Sequence, residues 1–542
     1  MPKADTADRL DSWKEIAAHL GRDVRTVQRW AKNEALPIHR KLHKKLSSIY
    51  AFKRELDQWW DDGRLFPERA TPPGPSSARR QLLAVLPLRN QTGLPDQEYF
   101  SDGLTEELIA QLSRVNPAQL GVIAGASAMM FKHTTKNVNQ IGRELGATYL
   151  LDGNVRRSDD RVRISVNLIN ADDQGIVWSE SYDRNLSNIL ELQNEVARSV
   201  SSRIAVTITT QEQSRLDRSS LVPPRAYEAY LKGRSFWNRR REEDLRAAVR
   251  LFQQAIDKDL NYAPAHAGLA DCYALLSNVT NGAMPPIEGL PKAKAAAKKA
   301  LRLDPLLADA HASLAYVQAF FDWDWAAAEI EFTRALELNP SYATARHWHS
   351  EYLTIVGRID EALVEIKRAR EHDPLSLAIP ASHAAAMYFA RQYDDTIAEC
   401  RTMIALEPNS ILAYINLGRA WMMKREYRKA IAELRTAVDL SGGNSALMLA
   451  MLGHAYGLAR SSSEARSILG QLTAIARHKY VPAFNFATVY AGLGDHDSVF
   501  RWLRKARIER CEYLLFLTRE PAADPLRTDP RFAKVVPAPP AP

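Results

Sequence analysis

Four prolines, Pro305, Pro340, Pro374 and Pro408, stand 35, 34 and 34 residues apart, each behind an acid or an asparagine, and Gly442 holds the next slot. A fixed period of this length constrains the fold more than any composition does. It leaves room for two helices and two turns per unit, and such a unit buries its apolar side only by stacking on its neighbours. Small residues should then mark where the two helices of a unit touch. They stand seven apart as Ala248 and Ala255, Ala293 and Ala300, Ala328 and Ala335, Ala362 and Ala369, and Ala430 and Ala437. We count eight units between about residues 226 and 512.

The period resembles that of tetratricopeptide repeats, and L-A-D-C-Y (269–273), L-G-R-A-W (417–421) and L-G-H-A-Y (452–456) match their first-helix pattern. The resemblance implies an α-solenoid over 226–535 whose concave face takes a protein or peptide partner. From Leu260 to Pro305 the spacing is 45, and the excess falls in S-N-V-T-N-G-A-M-P-P-I-E-G-L-P, expected as a surface loop inside the second unit. Thr396 and Met403 replace the alanines of the fifth unit, which reads as a looser joint. The segment D-P-L-R-T-D-P-R-F reads as a cap running into a disordered tail. His347, His349 and Glu351 do not suggest a metal, because helical residues two apart diverge by about 200°.

The front of the chain is different. Between Arg22 and Arg54 ten Lys and Arg face two acids, a net +8 equal to the formal charge of all 542 residues. A basic patch confined to a short segment is the footprint of a polyanion-binding surface. Beneath it lies S-W-K-E-I-A-A-H-L-G-R-D-V-R-T-V-Q-R-W. Ser12 and Glu15 form a predicted capping box, Ile16, Ala17 and Leu20 share one face, and Gly21 suits a stop. Asp23 can cap a second helix. At about 100° per residue, Val24, Val27, Trp30 and Ala31 fall on one side and Arg25, Gln28, Arg29 and Lys32 on the other. Two helices joined by a tight turn, with Arg and Gln outward, suit duplex DNA: Arg reads guanine and Gln reads adenine in the major groove. Arg25, Thr26, Gln28, Arg29 and Lys32 are the expected base-reading residues.

Pro37 should end that helix, with short extended pieces at P-I-H-R-K-L-H and S-S-I-Y-A-F and a closing helix at K-R-E-L-D-Q-W-W. Over residues 10–62 the motifs I-A-A-H-L-G, R-T-V-Q-R-W, L-P and E-L-D-Q-W-W resemble MerR- and excisionase-like winged helix-turn-helix domains. The resemblance implies a DNA-binding domain over 1–63 whose wing touches the phosphate backbone through His39, Arg40, Lys41, Lys44 and Lys45. The wing tip, K-K-L-S-S, lacks the glycine often found there. His39 and His43 stand four apart with no third ligand, so no metal site is expected.

Residues 64–80 have the Pro, Ser and Arg content of a linker. L-L-A-V-L-P-L then reads as a buried strand, F-S-D-G-L-T-E-E-L-I-A-Q-L-S-R as an amphipathic helix, Q-L-G-V-I-A as a second strand, and T-Y-L-L-D-G-N-V-R through W-S-E-S-Y-D as three strands with alternating faces. This order suggests an α/β sandwich over 81–208, followed by a linker at 209–225. A-V-L-P-L-R-N, Y-F-S-D-G-L-T-E-E-L-I, L-G-A-T-Y-L-L-D-G-N-V-R and W-S-E-S-Y-D resemble the TolB amino-terminal-like (FlgO-like) domain. That resemblance implies a non-catalytic module of bacterial regulatory proteins. Phosphate-loop, dinucleotide and nucleophile-elbow motifs do not occur here. Asp102, Glu106 and Glu107 read as acids favoured by a helix start.

Cys272, Cys400 and Cys511 are far apart and expected as buried reduced thiols. The first residues lack an apolar signal core and no run approaches the ~18 apolar residues of a membrane span, so the expected compartment is the cytoplasm. The expected fold is multidomain and mainly α: a small winged helix-turn-helix, an α/β middle domain and a solenoid. The expected function is a DNA-binding transcription regulator, without catalytic residues, metal or cofactor. Its partners would be double-stranded DNA, a protein or peptide on the concave face and, since one such head has a small footprint, a second copy or a paired site. The alternative is a repeat scaffold whose basic head docks to protein or RNA.

Overall fold

The computed structural model describes residues 8–20, 24, 27, 31, 36–42, 47–62, 80–94, 97–209, 222–278 and 283–539. The chain forms two compact units, Met1–Ala78 and Arg79–Pro542. Among the described residues no helix is long and apolar enough to cross a membrane.

In the first unit, strands β1 (Arg9–Leu10), β2 (His39–Leu42) and β3 (Ser47–Phe52) make an antiparallel sheet in the order β1-β3-β2, with His39 opposite Tyr50 and Leu42 opposite Ser47. Ser12 caps the helix Trp13–His19 by accepting from the Glu15 N–H at 3.2 Å. The expected box is only half closed: the Glu15 carboxylate accepts from Asp11 N at 2.8 Å rather than from Ser12. A final helix, Lys53–Asp62, is tied back by Asp57 to His19 at 2.8 Å. Ile16, Ala17, Leu20, Val27, Leu36, Ala51 and Leu56 form the core, so the apolar stripe read at Val24, Val27 and Ala31 faces inward.

The second unit begins with β4 (Gln81–Val85), β5 (Arg89–Asn90), β6 (Leu120–Val122), β7 (Tyr149–Ser158), β8 (Arg161–Asn170) and β9 (Ile176–Asn185). The sheet order is β6-β4-β7-β8-β9, with β5 on β7; β4 pairs in parallel with β6 and β7, and β7-β8-β9 run antiparallel. Helices Glu98–Ser113 and Ile189–Arg203 cover one face, and Val138–Leu145 packs on the other beside Ala84, Ile123 and Leu150. Asn137 caps the last of these with a complete capping box, and Gly146 ends it in left-handed backbone.

Eight successive helix pairs follow: Pro224–Trp237 with Glu242–Lys258, Ala263–Ser277 with Pro286–Leu303, Ala308–Val317 with Trp325–Leu338, and Ala343–Val356 with Ile359–His372. Next come Ala378–Phe389 with Tyr393–Leu406, Ile411–Met423 with Tyr427–Leu440, Ala446–Leu458 with Ser462–Ile475, and Ala483–Leu493 with His496–Ile508. The fold is thus mainly helical, with a small mixed sheet ahead of a repeat solenoid. Every alanine of the seven-apart pairs is fully buried. A larger side chain there would force the helices of a pair apart.

Two local expectations are corrected. P-I-E-G-L-P is not loop: it is the start of the 18-residue helix Pro286–Leu303, so much of the inserted length becomes extra helix, with Pro291 inside it. Glu106 and Glu107 do not sit at a helix start either, since the helix opens at Glu98 and both stand in its third turn. Their explanation is tertiary.

Candidate functional site

The α/β layer is docked onto the solenoid. Helix Glu98–Ser113 packs along Pro224–Trp237, and one apolar core runs from Leu83 through Tyr227 to Leu353. Glu107 accepts from Tyr230 OH at 2.6 Å, Glu106 from Asn238 Nδ2 at 2.8 Å, and Gln193 donates to Tyr227 OH at 2.6 Å. Burial pushes both glutamates above the ordinary carboxylate range. A second contact lies at the fourth and fifth pairs. There the carbonyl of His372 accepts from Ala124 N at 2.7 Å, and Ser127 donates to Asp373 at 2.6 Å and accepts from Leu375 N at 2.8 Å. Arg80 joins in, donating to Ser341 Oγ at 3.0 Å. The layer therefore bridges the first pair to the fourth and fifth.

From the other end the chain folds back on itself. After the last pair, residues 510–524 run against the first helices of pairs three to eight. Arg510 lies 3.9 Å from the Trp323 ring, Tyr316 OH donates to Glu512 at 2.6 Å, and Tyr513 and Phe516 stack on Phe484 and Phe389. Arg519 donates to the Val356 carbonyl at 3.3 Å, where a Cβ on Gly357 would strike the guanidinium at 2.1 Å. Glu520 meets Tyr388 and Arg419, and Asp524 meets Arg391 at 2.8 Å. The inner face is thus partly filled by this strap.

Between layer, strap and repeats remains a cavity of about 760 Å³. Ile109, Val122, Ala124 and Met130 line it from the α/β side, Trp237, Tyr316, Tyr342 and Trp348 from the repeats, and Glu512, Phe516 and Glu520 from the strap. Its volume lies within the roughly 300–1,000 Å³ span of small-molecule sites. Charged groups collect at the α/β end: Glu106, Arg234, Arg240, Asp309 and Asp373. Behind them Asp271, fully buried, takes a hydrogen bond from Ser313 and stands 4.0 Å from Arg234. Burial pushes the Asp271 carboxyl up to about 7. For Arg234 burial opposes the charge, but Tyr230, Asp309, Glu106 and Asp271 outweigh it and hold the guanidinium above its ordinary value.

Of the sequence-derived site residues, Arg25, Thr26, Gln28, Arg29, Lys32, Lys44 and Lys45 lie outside the described residues. Arg40 and Lys41 stand on β2. His39 is bonded to Glu55 at 2.6 Å and stacks on Tyr50 at 5.1 Å. His347 and His349 part company, the first against Ser382 at 2.6 Å and the second toward Glu329 at 3.8 Å, and no metal-holding group of three or more ligands occurs among the described residues. Cys272, Cys400 and Cys511 are buried free thiols. Sequence reasoning missed the strap and the charged end of the cavity. The apolar run Tyr-Leu-Leu-Phe-Leu at 513–517, too apolar for a solvated cap, was the available signal for the strap.

Residues 79–199 match the family described as the HilA/YgeH-like transcriptional regulator, second domain. A protein of Rhizobium meliloti (strain 1021) named "Putative adenylate cyclase 3" is 35% identical over 257 residues, 47% of this chain and 43% of that protein. The match thus spans less than half the length of that relative, and most of it necessarily falls beyond residue 78. Among solved structures, Pseudomonas aeruginosa PilF is 19% identical over 42% of this chain and 97% of its own, with a TM-score of 0.30. A tetratricopeptide repeat protein from Parabacteroides merdae is 14% identical over 50% of this chain and 100% of its own, with a TM-score of 0.37.

Proposed function

We propose that this chain is a DNA-binding transcription regulator: residues 1–63 bind duplex DNA as a winged helix-turn-helix, and residues 79–535 form a body that senses a partner or ligand. The observation that carries the reading is the net +8 between Arg22 and Arg54 on a unit whose described core gathers Ile16, Val27, Leu36, Ala51 and Leu56. Charge held on a rigid apolar back is what phosphate binding and groove reading need. The regulator-family match of residues 79–199 supports it from the neighbouring unit.

In this reading Arg25, Thr26, Gln28, Arg29 and Lys32 read bases, and His39, Arg40, Lys41, Lys44 and Lys45 hold phosphates. His39 must first exchange its bond to Glu55. A protein segment reaching the inner face competes with the strap for Arg419 and Tyr388. The protein works in the cytoplasm, as a dimer or on paired sites, and catalyses nothing. Selection of bound fragments from random and genomic DNA by the full chain, at fixed salt, tests the reading. Arg25→Ala and Arg29→Ala should each cost about 1–3 kcal/mol on the selected site and relax preference there, while Lys44→Ala weakens all sequences alike. Enrichment of no sequence over competitor overturns it in favour of a repeat scaffold.

A further inference from the structure

At the α/β end of the cavity one arginine has nothing to hold. Arg240 lines the cavity, its guanidinium lies 3.6 Å from the Trp237 ring centroid, and among the described residues it makes no hydrogen bond or ion pair. The other arginines lining the cavity are answered, Arg234 by Asp271 at 4.0 Å and Arg419 by Glu520 at 2.7 Å. Backbone conformation does not set Arg240 apart, because Arg391 occupies the corresponding left-handed turn of its own pair, but Arg391 has Asp524. Arg240 is itself exposed to this space, with Tyr342, Asp271 and Asp373 the neighbours that favour its charge. Trp237 lines the cavity as well, is 4% exposed and leaves its indole N–H without an acceptor. An arginine stacked on an aromatic face keeps its N–H edge free for a planar anion.

We propose that this cavity binds a small organic acid with an apolar body, its carboxylate held by both N–H groups of the Arg240 edge against Trp237. Tyr316, Tyr342 and Trp348 offer the rings for the rest of the molecule. Asp309 and Asp373 line the same end and repel added negative charge, a phosphate dianion more than a monoanion, so a single carboxylate is the better match to one guanidinium. The inference rests on the unit of residues 79–542 and stands apart from the DNA reading of the head.

Calorimetric titration of the full chain with phenylacetate and decanoate, against phenylacetamide and decanamide, tests it without any DNA. At least one acid should bind saturably and about tenfold or more tighter than its amide, the difference a charge-assisted pair makes. Arg240→Gln should abolish that preference and Arg240→Lys should recover part of it. Arg240→Gly removes the guanidinium while relieving the left-handed backbone, and its thermal unfolding, matched to wild type, separates loss of the anion partner from loss of fold. Equal affinity for acid and amide, binding unchanged in Arg240→Gln and Arg240→Gly, or no saturable binding of either acid overturns the proposal. Tight Arg240-dependent binding of inorganic phosphate alone overturns the choice of an apolar carboxylate.

Discussion

Arg419 donates to Glu520 at 2.7 Å across 101 residues of chain, while Tyr388 donates to the other oxygen of the same carboxylate and lies with its ring 4.0 Å from the guanidinium. One acid of the strap thus satisfies two buried groups of the fifth and sixth pairs. Removing it leaves a buried charge unanswered. Glu520→Ala should cost about 3–5 kcal/mol in urea unfolding and speed hydrogen exchange over residues 512–524. Arg419→Met combined with Glu520→Leu should restore most of that stability. Unchanged exchange in Glu520→Ala would show that the strap is held by Tyr513 and Phe516 alone.

His372 gives the junction of layer and solenoid a sensitivity to acid. It is buried, its Nε2 accepts from Arg80 at 3.3 Å, and burial with the nearby charges of Arg80 and Arg346 drops its pKa from 6.5 to about 3. The folded state binds the proton less readily than the unfolded chain. Its contribution is therefore complete above about pH 6.5 and is lost as pH falls toward 3, roughly 2 kcal/mol between pH 7 and pH 5. Glu106, Glu107 and Asp271, whose pKa values burial raises, pull the other way. The readout is thus the difference in stability between wild type and His372→Gln across that range, which should shrink by about that amount; a constant difference refutes it.

What was legible in the sequence is what local contacts dictate. The seven-apart alanines predict the helix pairs because each unit must repeat the same close crossing, and all ten are fully buried. The inward stripe of Val24, Val27 and Ala31 follows from helical angle alone. The strap and the cavity were hidden for the opposite reason. Glu520 and Arg419 each look like solvated surface charges until the solenoid curls, and Glu106 finds Asn238 132 residues away. A dipole argument that looks only along one helix has no means of seeing either partner. The placement of Arg25 and Arg29 by angle lies outside the described residues, so it stands on the sequence.

Helices Ala446–Leu458 and Ala483–Leu493 meet backbone to backbone. A Cβ on Gly492 would lie 2.4 Å from the His454 carbonyl oxygen, and one on Gly457 would lie 2.3 Å from the Gly492 carbonyl carbon. Gly492→Ala gains up to about 1 kcal/mol of helix propensity. It also forces two helices apart, at about 1–3 kcal/mol, and the obstacle is backbone that cannot rotate away. Net destabilisation is the expected outcome. Gly470→Ala, at an exposed helical position with nothing within 4 Å, isolates the propensity and should stabilise. Thermal unfolding of the two variants should shift in opposite directions.

The turns joining the two helices of a pair repeat one backbone conformation, φ between 59° and 89°, at Arg240, Trp323, Gly357, Arg391, Arg425, Arg460 and Gly494. A side chain in this region costs about 1–2 kcal/mol, and glycine returns up to about 1 kcal/mol as entropy of the unfolded chain. Whether a glycine helps therefore depends on what the side chain does. Arg425 is exposed and its side chain makes no hydrogen bond or ion pair among the described residues, so Arg425→Gly should stabilise by roughly 0.5–1 kcal/mol. Trp323 carries the Arg510 guanidinium 3.9 Å from its ring, and losing that contact with the packing of the indole outweighs the relief. Trp323→Gly should destabilise, and unfolding of both variants in urea reads the signs directly. Stabilisation of Trp323→Gly would mean that the strap does not depend on this turn.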